Sequence, residues 1–152
     1  MIFAYFDGCD EARNEKGVGT YGFWIVRILV RDGRAVLAVL VESSGVVRTK
    51  GPSSHNVAEY AGLIAALEWL IKMGLNGQMI KVRGDSQLVI NQMFRGWRIR
   101  KGMYVEKAME VVALKMRFPN LTGEWIPREE NSRADQLARV EWERSVRKQL
   151  TI

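Results

Sequence analysis

The sequence predicts an α/β domain, a five-stranded mixed sheet flanked by helices. Three observations predict it. Three strand-like segments follow one another at the N-terminus, the last two joined by Asp32-Gly33, a strong hairpin signal. The apolar period then lengthens to that of helices, and two further short strands alternate with them. The resulting order, β-β-β-α-β-α-α-β-α, needs helical crossovers between parallel strands, which sets helices on the faces of the sheet. Right-handed crossovers bring the fourth and fifth strands parallel to the first.

Residues 2–6 are an aromatic and apolar run ending at Asp7-Gly8, a strand followed by a turn. Residues 21–30, rich in aromatic and β-branched side chains, form the second strand, and residues 35–42 return as the third. Residues 56–73 are alanine- and leucine-rich and long enough for a crossover helix, closed by Gly74. Residues 79–83 are a short strand before Gly84-Asp85, and residues 86–93 a short helix. Residues 95–103 form a basic, glycine-punctuated connection. Val105, Met109, Val112, Ala113 and Met116 recur at helical spacing, so 104–117 is an amphipathic helix. Residues 121–126 are the last strand, stopped by Pro127, and Asn131 is placed to cap a final helix from Ser132 to about residue 148. Trp24, Trp69, Trp125 and Trp142 fall inside these elements and are read as packing residues.

Residues 1–152 have the length of a single domain and contain no linker or repeat that would divide them. With 47% apolar and 26% charged residues, the composition excludes a disordered chain. No apolar run approaches the ~20 residues of a membrane helix, and the N-terminus lacks the basic start of a signal peptide. The single cysteine, Cys9, excludes an internal disulfide framework and fits a reducing, cytoplasmic setting. Its neighbours suit a small apolar filler rather than a reactive thiol. A monomer is expected. The single histidine, His55, excludes a histidine-rich metal site, so any metal chemistry falls to carboxylates. The net charge of +6 favours an anionic partner, while also serving solubility.

Four carboxylates occupy special places. Asp7 ends the first strand, Glu59 lies early in the long helix, Asp85 ends the fourth strand, and Asp135 lies early in the last helix. Each alone has a plain structural explanation: a turn, a capping box with Asn56, an N-cap, and a charge favoured by the helix dipole. Together they point elsewhere. Parallel neighbouring strands lie ~4.8 Å apart, which puts Asp7 and Asp85 side by side at the carboxyl edge where open α/β sheets build their sites. Helix starts lean over the same rim and bring Glu59 and Asp135. Four acids in one cleft repel one another unless cations are present. Hard oxygen ligands suit Mg²⁺ or Mn²⁺, and two such ions ~3.5–4 Å apart suit in-line displacement at a phosphodiester. Ser54, Asn56 and Gln87 flank Glu59 and Asp85 as neutral hydrogen-bonding groups, fit either for a shallow minor groove or for capping. Arg95, Arg98, Arg100 and Lys101 surround Trp97, a pattern shared by nucleic-acid-binding surfaces and by solvated loops with one buried tryptophan.

Asp7-Gly8, Ser54-His55-Asn56-Val57-Ala58-Glu59, Gly84-Asp85-Ser86-Gln87 and Asn131-Ser132-Arg133-Ala134-Asp135 resemble type 1 ribonuclease H in order and spacing, across essentially the whole chain. The resemblance implies the ribonuclease H-like fold. It also implies endonucleolytic hydrolysis of the RNA strand of RNA–DNA hybrids with two Mg²⁺ or Mn²⁺ ions. By motif, Asp7, Glu59, Asp85 and Asp135 would be the metal-binding catalytic carboxylates, with Glu59 also meeting a ribose 2′-OH. Asn56 and Gln87 fall where family members contact the substrate groove, and Ser54 where a small hydroxyl residue meets the DNA phosphate. Two features depart from many bacterial members. The loop Pro127-Arg128-Glu129-Glu130-Asn131 lacks the histidine associated there with proton transfer or product release. Arg128 is the substitute to consider, able to stabilise charge but too basic to shuttle protons. The basic protrusion of some members is also missing, leaving the short 95–103 connection, so the chain looks more like archaeal members. His55 stands where the family more often has asparagine and is assigned no catalytic part.

Three other readings compete. A relaxed nuclease would also cut double-stranded RNA, since both duplexes are A-like. A nonenzymatic hybrid- or RNA-binding module has no use for four clustered acids. A resolvase- or integrase-like DNA nuclease fits poorly with the short chain and with Asn56 and Gln87.

Overall fold

Three antiparallel strands open the chain in the computed structural model, which describes residues 1–10, 17–49 and 55–147. β1 (Ile2–Cys9) pairs with β2 (Val18–Arg31), and β2 with β3 (Arg34–Arg48). Asp32 and Gly33 join the last two with φ of 51° and 72°, the pair of positive values that a tight hairpin of matching twist requires. Helix α1 (His55–Lys72) crosses to β4 (Ile80–Gly84), which lies parallel to β1. Helices α2 (Gln87–Phe94) and α3 (Val105–Lys115) lead to β5 (Leu121–Trp125), parallel to β4, and α4 (Ser132–Glu141) follows. The sheet order is β3-β2-β1-β4-β5. This is the expected five-stranded mixed sheet with flanking helices.

The core lies under α1. Ile2, Ala4 and Phe6 alternate into it from β1, and Ile80 and Val82 from β4, following the two-residue period of a strand. Val57, Tyr60, Leu63, Ile64, Leu67 and Leu70 meet them from α1. This helix is apolar on nearly every side because it lies between the sheet and α3. Lys72 favours its C-terminal dipole, and Gly74, at φ 71°, ends it. On the other face of the sheet α4 lies against Gly22, and Thr20 Oγ1 donates to Ala138 O at 2.8 Å. Among the described residues, no helix is long and apolar enough to cross a membrane.

Gly8 sets the distance between β1 and α1. A Cβ there would lie 2.4 Å from Glu59 N and 2.5 Å from Ala58 C, both main-chain atoms that cannot step aside. Gly8→Ala is therefore expected to lower stability by about 3 kcal/mol and to push Glu59 away from Asp7. A urea melt with an unchanged midpoint would show that the helix accommodates the methyl group.

Several local expectations need correction. Asp7-Gly8 is not a turn: β1 runs on to Cys9, with Asp7 opposite Gly22 and Gly8 opposite Tyr21. The backbone ladder carries this strand through polar residues that hydrophobic alternation cannot detect. Ser86, not Asp85, caps α2, its Oγ accepting from Val89 N at 3.2 Å. Glu59 completes no capping box, because α1 starts at His55 and Asn56 is already helical. Asn131 precedes α4 but makes no side-chain cap. The last helix ends earlier than expected, at Glu141, and continues as a wider π turn over Trp142–Arg147. Buried Glu141 draws that turn together, accepting from Arg144 Nε at 3.0 Å and Ser145 Oγ at 3.1 Å.

Candidate active site

The register of β1 and β4 builds the site. Tyr5 stands opposite Arg83, so two residues further along both strands Asp7 comes beside Asp85. Gly8 lets the second turn of α1 approach and adds Glu59. One ligand oxygen from each of Asp7, Glu59 and Asp85 lies within 4.8 Å of the others. Asp7 and Glu59 are buried, at 4% and 1% exposure. They open on a cleft of about 360 Å³ whose walls include His55, Ser86, Trp125 and Arg128.

The charges are poorly compensated by the protein. Burial, reinforced by the charges of Glu59 and Asp85, lifts the Asp7 carboxyl far above the usual carboxylate range, although Gly8 N donates to its Oδ1 at 2.9 Å. Burial and then the Asp85 charge lift Glu59 in the same direction. Glu59 Oε1 lies 2.8 Å from His55 Nε2, while its buried Oε2 has no hydrogen-bond partner among the described residues. An acid cluster with an orphaned carboxylate oxygen fits a hard divalent cation. The three carboxylates form a candidate divalent-metal site.

The other residues named from the sequence fall as follows. Asp135 stands outside the group of three. Its carboxylate accepts from Arg139 Nε, both oxygens at 3.0 Å, yet it is near enough to contribute to the upward push on Glu59. Arg128 is exposed on the wall of the cleft. Asn56 is half-buried in the first turn of α1, and Gln87 is exposed in the first turn of α2. Ser54 lies outside the described residues. Trp97 is 53% exposed, so the 95–103 connection does not enclose it. Cys9 packs with Val18 and Trp142, and burial pushes its thiol up to about 11, which keeps it protonated and inert at neutral pH.

Three residues at the site were missed or undervalued. His55 contacts Glu59 one helical turn away, a spacing visible in the sequence. Trp125 lies opposite Gly84 in the parallel register, and its Nε1 donates to Asp85 O at 3.1 Å. Asn131 reaches between the ends of β1 and β4 rather than capping α4.

Two parallel strands with acids at their adjoining ends, in this strand order, define a ribonuclease H-like domain. A family model described as reverse transcriptase-like matches residues 25–140. The chain belongs to that family and is homologous to type 1 ribonucleases H. The crystal structure of RNase H1 from the halophilic archaeon Halobacterium salinarum is similar with a TM-score of 0.75 and 31% identity, covering 95% of this chain and 98% of that one. LC11-RNase H1, solved in complex with an RNA/DNA hybrid, is similar with a TM-score of 0.75 and 33% identity, covering 96% and 99%. A bifunctional protein of Mycobacterium tuberculosis is 36% identical over 100 residues, 66% of this chain. The chain spans about a quarter (26%) of the length of that relative.

Proposed function

We propose that the chain is a metal-dependent endoribonuclease that hydrolyses the RNA strand of RNA–DNA hybrids. The observation that carries this reading is the convergence of Asp7, Glu59 and Asp85 within 4.8 Å at the adjoining ends of β1 and β4. The hybrid-bound state of LC11-RNase H1, alike over nearly the whole chain, supports the choice of substrate.

Asp7, Glu59 and Asp85 would hold the Mg²⁺ or Mn²⁺, with Asp135 as the fourth ligand once its carboxylate leaves Arg139. Two such ions supply an activated water and charge stabilisation at the leaving oxygen. The protein's own groups do the rest. Burial of Asp7 and Glu59 keeps bulk water from screening the charges they gather. Glu59 is also the group to meet a ribose 2′-OH, which makes the cut specific to RNA. Asn56 and Gln87, at the starts of α1 and α2, would meet the sugar edges of the groove, and the motif assigns Ser54, outside the described residues, to a phosphate of the DNA strand. Trp125 fixes the main chain that carries Asp85. Arg128 steadies the departing phosphate in place of the loop histidine. A guanidinium supplies charge rather than a transferable proton, so proton transfer falls to water. The short 95–103 connection replaces a basic protrusion and leaves less grip on the DNA strand. A single domain over residues 1–152, a monomeric state and a cytoplasmic setting, the last argued from the lone cysteine, belong to the same proposal.

The test is a cleavage assay with Mg²⁺ on a hybrid labelled in its RNA strand, beside matched double-stranded RNA and double-stranded DNA. Cutting of the hybrid's RNA alone is expected. Equal cutting of double-stranded RNA would show the relaxed nuclease instead, and binding without cutting a nonenzymatic module. Arg128→Ala is expected to slow cleavage about fivefold, as removal of one exposed charge does. A loss as large as that of a metal ligand would give Arg128 a central role.

A further inference from the structure

Asn131 does not do what its position before α4 leads one to expect. Its side chain is 1% exposed and makes no cap. Instead Nδ2 donates to Phe6 O at 2.9 Å and reaches Asp85 Oδ1 at 3.5 Å. The first contact fixes which way the amide faces, because a main-chain carbonyl accepts and cannot donate. With Nδ2 committed to Phe6, its second hydrogen is left for the Asp85 carboxylate. The same amide thus ties the residue before Asp7 on β1 to Asp85, just past the end of β4, two strands whose pairing stops at Tyr5 and Arg83. The remaining amide atom, Oδ1, is buried with no partner among the described residues. An acceptor left unpaired in the interior is unfavourable, and here it belongs to the side chain that reaches Asp85.

We propose that Asn131 is a positioning residue of the metal centre: its amide holds the carboxylate of Asp85 in register with Asp7, and its buried Oδ1 accepts a hydrogen bond from a water bound to the cation. The inference deepens the metal-site reading and rests on it. The α4 main chain is free to carry this role, since Asn131 O still accepts from Asp135 N at 3.1 Å and Asn131 N donates to Arg128 O at 3.0 Å whatever the side chain. These bonds join the Arg128 loop, Asn131 and Asp135 into one short segment, so a single residue couples the third and fourth acids.

The test is Mn²⁺ titration of the full chain by calorimetry, well below each variant's melting temperature, with circular dichroism to confirm folding. Asn131→Ala is expected to weaken Mn²⁺ binding by about ten- to a hundredfold, as loss of an outer partner of a metal ligand does. Leu70→Ala removes a fully buried side chain at the far end of α1, and is expected to lower the melting temperature without changing Mn²⁺ affinity. If Asn131→Ala does not fold, Asn131→Ser replaces it. Its hydroxyl keeps a small polar group at this buried position but is too short to reach Asp85, and the same weakening is expected. Mn²⁺ affinity within twofold of wild type in the folded variant would overturn the proposal and leave the metal site standing. A wild-type chain that binds no Mn²⁺ would overturn both.

Discussion

Asp85→Asn is expected to abolish cleavage of the hybrid's RNA strand, by about a thousandfold or more, in a protein that still folds. The two side chains have nearly the same shape, so β4 and the Ser86 cap of α2 are undisturbed. What changes is charge. Asp85 is one of three acids whose oxygens lie within 4.8 Å, and its loss removes one of the anions that hold the cations. Metal-ion stabilisation of developing charge is worth several kcal/mol, and about 4 kcal/mol corresponds to three powers of ten in rate. The same substitution relieves repulsion, because the Asp85 charge helps to raise both Asp7 and Glu59. The variant is therefore expected to melt above wild type when no divalent cation is present, and to gain less on adding one. Single-turnover cleavage and thermal melts measure the two effects. Cleavage within tenfold of wild type would remove Asp85 from the chemistry.

Stability without metal is expected to fall as pH rises, and this is the second large effect. Asp7 and Glu59 both have carboxyls raised by burial and by neighbouring negative charge. The folded state therefore holds protons that the unfolded chain, with ordinary carboxylates, has already released. Stability from these groups is fully present below their unfolded range near pH 4. It is lost progressively as pH climbs through neutrality towards their folded values. A fall in melting temperature of roughly 5 °C or more between pH 5 and pH 8 is expected in a chelator. Saturating Mn²⁺ reverses the sign, because a cation binds the ionised acids and stabilises the fold that presents them. The Asp7→Asn, Glu59→Gln double variant should lose most of both effects. A melting temperature that rises with pH in the chelator would mean that the acids are compensated by groups other than a cation.

The parts of this protein that could be read from its sequence are those in which local pattern and topology agree. Asp32-Gly33 between apolar strands, Gly74 after an apolar helix and the alternation of helices with β4 and β5 each point one way, and together they give the strand order. That order brings Asp7 beside Asp85 with no knowledge of side chains. Where one residue type serves two purposes, the sequence could not choose between them. An asparagine just before a helix reads as a cap, and only coordinates show the Asn131 amide turned back to Phe6 and Asp85. Asp85 and Ser86 are both good caps, and Ser86 took the role, which leaves the Asp85 carboxylate for the cleft. The contact of His55 with Glu59 was open to view at i and i+4, but a lone histidine carries no direction without a backbone. The π turn after Glu141 depends on a buried acid drawing Arg144 and Ser145 around it, a tertiary effect beyond any local period.

The most direct measurement is anomalous diffraction from a crystal soaked in Mn²⁺. Two peaks about 3.5–4 Å apart, bounded by Asp7, Glu59 and Asp85 with the Asp135 carboxylate turned in from Arg139, are the expected result. No peak among these carboxylates, or manganese bound only elsewhere on the surface, would contradict the metal-dependent chemistry on which the function rests.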